Sequence, residues 1–156
     1  MKTHNKIILS ILLVILCTGI VQGATIDYKQ LYSSNIGTNV NKVMEQIHTQ
    51  YSDITEIRDI GYSAVGNIPI KAIKLGKGGR SILINGTHHA RETMTAILTI
   101  NQLEDLAKAY QNNETRHGYS VRQLLNTISI WFVPMTNPDG ANLAMSTKPS
   151  WKANGR

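Results

Sequence analysis

The sequence predicts an α/β domain built on a mixed, partly parallel central sheet flanked by helices. Three observations predict it. Residues 54–62 and 68–75 are β-branched and apolar runs separated by Val65-Gly66-Asn67, the pattern of a hairpin. Residues 81–85 and 127–135 are short, unbroken apolar runs, as in strands buried on both faces. A helical pattern lies between those two runs. An antiparallel hairpin therefore feeds a strand–helix–strand unit.

The elements follow in order. Lys2 and Lys6 precede an apolar run at 7–16 broken only by Ser10, and small residues follow at Gly23 and Ala24. That layout predicts a secretory signal peptide over residues 1–23 and a domain over 24–156. The apolar stretch ends by Ile20 and is short for a membrane span, so no stable membrane association is expected after cleavage. Cys17 is the sole cysteine and lies in the leader. The mature chain then has no disulfide, and its stability must come from packing or a bound metal. Val40, Val43, Met44, Ile47 and Tyr51 mark one face of a helix capped at Thr38 or Asn39. Gly76-Lys77-Gly78-Gly79 is a flexible turn, not a phosphate loop, because no Ser or Thr follows its lysine. A long helix is expected over 90–110, with Ala96, Ile97, Ile100, Leu103, Leu106, Ala107 and Tyr110 inward. A helical turn at 120–126 precedes the 127–135 strand. Thr136-Asn137-Pro138-Asp139-Gly140 reads as a turn, and the pattern weakens beyond it.

The formal charge of +6 falls to +4 once the two leader lysines are removed. The basic residues are scattered and not interleaved with aromatics. This predicts a solvated surface and no nucleic-acid partner. A weakly basic secreted protein still favours an anionic target such as a cell wall.

The chemistry concentrates where one predicted strand stops. Residues 82–92 read ILINGTHHARE, which places His88, His89 and Glu92 at a strand's carboxyl end. Ligands of α/β sheets bind at such ends. His89 and Glu92 are three residues apart, so on a helical turn both project from one face. Imidazole nitrogen and carboxylate oxygen are both ordinary zinc ligands. The competing reading makes Glu92 a helix-starting carboxylate facing the dipole and His89 a surface residue.

These residues carry a family resemblance. An apolar strand leading to His89-Ala90-Arg91-Glu92 resembles the zinc carboxypeptidases, the carboxypeptidase A-like family. Tyr51-Ser52-Asp53 is similar to that family's early Tyr-Pro-Asp, and residues 63–70 to its Ser-x-x-Gly-x-x-Ile hairpin. Asn137-Pro138-Asp139-Gly140 and Trp151-Lys152-Ala153-Asn154 resemble two further motifs. The resemblance implies a secreted, extracellular or cell-wall peptidase, a monomer, that uses zinc-activated water near the C-terminus of peptide substrates. It implies His89 and Glu92 as zinc ligands, and Arg91 and Lys152 as substrate-binding residues. Arg91 has an alternative as a surface charge paired with Asp or Glu. At Lys152 the family commonly has an arginine, so the charge is kept and the bidentate fork is lost. Asn137 and Asp139 are expected to hold a turn and not to touch substrate.

The resemblance also implies residues that have no match here. The family's third zinc ligand is a later histidine and its general base a later glutamate, yet no histidine follows His117 and no glutamate follows Glu114. The expectation is a domain truncated after about half of the family's length, with no catalytic residue assigned and a bare sheet edge along 127–135. Two other functions fit. One is a catalytically inactive fragment or a non-enzymatic secreted binding module. The other is a zinc deacylase of N-acyl amino acids, disfavoured by the secretion signal and the Asn-Pro-Asp-Gly stretch.

Overall fold

A computed structural model describes residues 26–155, so the expected leader lies outside the described residues. A short 3-10 helix at Tyr28–Tyr32 comes first. Its Tyr28 hydroxyl donates to the Glu104 carboxylate and pins the segment to a later helix. Helix α1 follows at Ile36–Gln50. Ile36, Val40, Val43, Met44 and Ile47 recur at helical spacing and are all buried. The helix starts ahead of the expected cap because Ile36 belongs to that stripe. Asn35 occupies the cap position, and Asn39 donates instead to the Gln30 carbonyl and to Ser33 Oγ.

The hairpin forms as expected. Strand β1 (Thr55–Tyr62) pairs antiparallel with β2 (Pro69–Leu75). Strand β3 (Arg80–Asn85) then leads through an irregular loop into helix α2 (Met94–Gln111). The inner stripe of α2 is the predicted one, except that Leu106 is only partly buried. A two-stranded ribbon, β4 (Thr115–Arg116) and β5 (Tyr119–Ser120), was not legible as strand. Helix α3 (Val121–Thr127) follows, its first turn capped by Ser120 Oγ accepting from Gln123 N. Strand β6 (Ile128–Val133) and helix α4 (Pro138–Ser146) complete the order.

The sheet order is β1-β2-β6-β3. Strand β6 runs antiparallel to β2 and parallel to β3, with Ile82 opposite Ile130 and Asn85 opposite Val133. Two expectations are corrected by this order. Among the described residues β3 is a sheet edge and β6 is not, since β6 has a partner on each side. And β3 is not buried on both faces: Ile82 is 52% and Leu83 62% exposed. Helices α1 and α2 cover one face of the sheet, where Ile57, Ile73, Leu75, Ile130, Phe132 and Ile84 join their apolar stripes in the core. On the other face, Arg58, Ile60, Ala72, Leu83, Trp131 and Val133 line an open depression of about 330 Å³. The Arg58 guanidinium lies 5.4 Å from the centre of the Trp131 ring there, a cation–π distance.

Candidate metal site

Parallel pairing makes β3 and β6 finish side by side, and the loops beyond both ends form the site. Gly86 N donates to the Val133 carbonyl at 3.0 Å, and Thr136 N donates back to the Gly86 carbonyl at 3.3 Å. Thr87 then turns the chain with φ +52. A β-branched residue in the left-handed region costs about 1–3 kcal/mol and persists only when its surroundings enforce it. Here the restraint is Thr95, whose Oγ1 accepts from Thr87 N at 2.7 Å and donates to the Glu92 carbonyl at 2.7 Å. The loop from Gly86 to Thr93 is thus tied at both ends.

Its apex carries the histidine–glutamate pair. Glu92 N donates to the His89 carbonyl at 3.1 Å, closing a turn that puts both side chains on one side. Nδ1 of His89 lies 3.0 and 3.1 Å from the two Glu92 carboxylate oxygens. The pair sits on this turn, ahead of α2 and not within it. The α2 hydrogen-bond ladder begins only at Met94, because Thr87 and the His89–Glu92 turn occupy the residues where the helix was expected. Both side chains are open to solvent, His89 62% and Glu92 46% exposed. In this arrangement Nδ1–H donates to the carboxylate. A metal bound there would take that proton's place, with imidazole nitrogen and carboxylate oxygen already converging.

The other described histidines lie apart from the pair or face other partners. His88 Nε2 is 3.1 Å from Asn85 Oδ1, and His48 Nδ1 is 2.8 Å from Thr55 Oγ1. His117 sits in the β4–β5 turn with φ +50. Among the described residues, no three His, Cys, Asp or Glu side chains are grouped to hold an ion. The pair thus offers two candidate donors, where a catalytic zinc takes three from protein.

Arg91 is exposed and forms no ion pair among the described residues. Lys152 is exposed as well. Its carbonyl accepts from Ala90 N at 3.1 Å, which brings its segment against the His89 loop. The fold thus collects His89, Glu92, Arg91 and Lys152 at one end of the sheet.

Asn137 to Gly140 open helix α4, where the sequence reading expected a turn. Asn137 is the N-cap and Pro138 takes the first helical position, a pairing with a known physical basis that the turn reading overlooked. Asn137 Oδ1 accepts from Gly140 N at 3.1 Å, while Nδ2 lies 3.3 Å from the His88 carbonyl and 3.1 Å from the Ala153 carbonyl. Asp139 is buried and accepts from Ser63 Oγ, Val65 N and Gly66 N at 2.9, 2.9 and 3.0 Å. The carboxylate thereby ties the β1–β2 turn to the same helix end. Both side chains hold backbone, at the start of a helix and not in the expected turn.

The zinc carboxypeptidase family model matches residues 40–156. The chain belongs to the zinc carboxypeptidase family. Among its relatives is the gamma-D-glutamyl-L-diamino acid endopeptidase 1 of Lysinibacillus sphaericus, 35% identical over 94 residues, 60% of this chain and 24% of that protein. Metallocarboxypeptidase A of Arthroderma otae is 30% identical over 105 residues, 64% of this chain and 24% of that one. The chain spans about a quarter of the length of the curated relatives it matches. Bovine thrombin-activatable fibrinolysis inhibitor, solved in complex with tick carboxypeptidase inhibitor, superposes with a TM-score of 0.64 at 22% identity. That match covers 78% of this chain and 36% of that one. The carboxypeptidase A of Helicoverpa armigera gives 0.56 at 17% identity, over 74% and 27%. These structures are alike in fold. Zinc, which the family name implies, fits the chemistry of the pair, since nitrogen and oxygen donors meet there at an accessible point on a restrained loop.

Proposed function

We propose that this chain is the N-terminal part of a secreted zinc peptidase that hydrolyses peptide bonds at or near the C-terminus of cell-wall peptides. The convergence of His89 Nδ1 and both Glu92 oxygens, at the carboxyl end of a parallel strand pair, carries the reading. The endopeptidase of L. sphaericus, by its name, acts at a γ-D-glutamyl-L-diamino acid bond, and this linkage is the substrate we assign. A net positive chain suits such anionic peptides.

His89 and Glu92 hold the zinc in this reading. When bound, zinc polarises the scissile carbonyl and lowers the pKa of a bound water. Arg91, on the same loop and free of an acidic partner among the described residues, binds the substrate carboxylate through its planar fork. Lys152 brings a point charge to the carbonyl oxygen that gains negative charge. The third zinc ligand and the general base come from outside the residues described.

One observation favours a second reading, a catalytically inactive or purely binding protein: only two metal donors converge among the described residues. An assay of the gene product separates the two readings. Chelator-sensitive cleavage of a synthetic γ-D-glutamyl-L-diamino acid peptide supports the first, and binding of that peptide without turnover supports the second. Cleavage confined to ordinary α-linked C-terminal residues would retain the peptidase and refute the cell-wall substrate.

A further inference from the structure

Two segments far apart in sequence meet at the candidate site, and one side chain lies between them. The Nδ2 group of Asn137 has two hydrogens. One points to the carbonyl of His88, the residue before the proposed ligand His89, at 3.3 Å. The other points to the carbonyl of Ala153, the residue after Lys152, at 3.1 Å. The amide oxygen accepts from Gly140 N at 3.1 Å. Both hydrogens and the oxygen of this side chain are thus engaged, which fixes the amide plane.

The rest of the junction is equally close. Ala90 N donates to the Lys152 carbonyl at 3.1 Å, so the loop and the Lys152 segment also touch directly. Gly140 lies under both: a Cβ there would meet the Ala153 carbonyl oxygen and come within 2.8 Å of the Ala90 Cβ. Helix α4 is itself anchored through the buried Asp139 carboxylate and through Asn142 Oδ1, which accepts from Gly37 N of α1 at 2.8 Å. A fixed helix end therefore presents a fixed amide to two otherwise exposed loops.

We infer that Asn137 is a positioning residue that sets the register between the His89–Glu92 pair and Lys152, using one amide to hold the carbonyl just before the ligand and the carbonyl just after the lysine. The inference rests on the reading of His89 and Glu92 as metal ligands. Groups that orient a ligand from behind typically change metal affinity or activity 10–100-fold when lost.

Asn137→Asp and Asn137→Ser separate this role from helix capping. Both residues are good N-caps and keep the acceptor for Gly140 N, while neither supplies the two-hydrogen amide. In the full gene product, both variants are expected to unfold within a few degrees of wild type. The Ala90 amide is expected to exchange with solvent at least ~10-fold faster in metal-free protein, with amides of α1 and α2 unchanged. Zinc affinity is expected to fall about 10-fold or more, and the visible spectrum of bound cobalt(II), which reports ligand geometry, to shift. The Asp variant adds negative charge near the pair, which by itself would strengthen metal binding, so a loss there isolates geometry. Gly140→Ala should reproduce the accelerated Ala90 exchange by wedging the same junction. Unchanged Ala90 exchange in all three variants, or unchanged zinc affinity and cobalt spectrum in Asn137→Ser, would overturn the inference. If wild type binds no zinc, the ligand assignment falls, and the Ala90 exchange still decides whether Asn137 holds the junction.

Discussion

Strands β6 (Ile128–Val133) and β3 (Arg80–Asn85) lie side by side and parallel, and each carries an apolar run, at 130–133 and 82–84. Their fates differ. Phe132 is fully buried between the sheet and its helices, whereas Ile82 and Leu83 stand largely open. The difference continues past the strand ends. Strand β6 runs into a helix whose Asp139 is buried and triply bonded, while β3 runs into a loop whose His89 and Glu92 face solvent. Face and position in the sheet cause this together: Leu83 shares the face no helix covers with Trp131, and β3 has a neighbour on one side only. A central strand has neighbours on both sides, and an edge strand has one. The central strand and its sequel provide rigidity, and the edge strand and its sequel provide access.

Substitutions can break or sharpen this comparison. Phe132→Ala should cost about 3–5 kcal/mol of folding stability, measured by urea denaturation, because it empties a filled core position. Asp139→Ala should cost about 2–3 kcal/mol, since it strands two backbone amides and the Ser63 hydroxyl that the carboxylate now satisfies. Leu83→Ala, on the edge strand, should stay within about 0.5 kcal/mol of wild type. A Leu83 cost equal to that of Phe132 would erase the distinction between the strands.

The smallest effect lies at the surface. Hydrogen bonding to Arg116 holds the Asp105 carboxyl below its ordinary range. A depressed carboxylate adds stability above its unfolded pKa, and that stability is lost as pH falls through the folded value. Arg116→Gln should therefore lower the urea midpoint slightly at pH 6. The gap to wild type should close on acidification below about pH 4. A gap that widens in acid would show that the sign is wrong.

Much of this was legible in sequence because it follows from periodicity. The α1 and α2 stripes, the hairpin and the β6 strand are local patterns, and each formed with only its ends or one stripe residue displaced. What was not legible depends on neighbours. The run 81–85 shows that β3 is apolar, but only the insertion of β6 beside it decides that β3 is an edge. Helix α2 starts later than its pattern suggests because Thr87 and the His89–Glu92 turn interrupt a helical pattern that Ala90 and Arg91 would otherwise extend. Helix α4 is hidden in sequence because Asn-Pro-Asp-Gly suits a turn as well as it suits a helix cap. In the site, spacing suggested the His89–Glu92 pair. The two carbonyl contacts of Asn137 join residues far apart in the chain, and no local pattern encodes them.

The central claim is that His89 and Glu92 bind a metal ion. Calorimetric titration of the gene product with zinc tests it most directly, alongside His89→Ala and Glu92→Gln. Stoichiometric binding in wild type that is lost or weakened at least ~10-fold in each variant, with folding retained, is the predicted result. Equal zinc binding by wild type and both variants would contradict it.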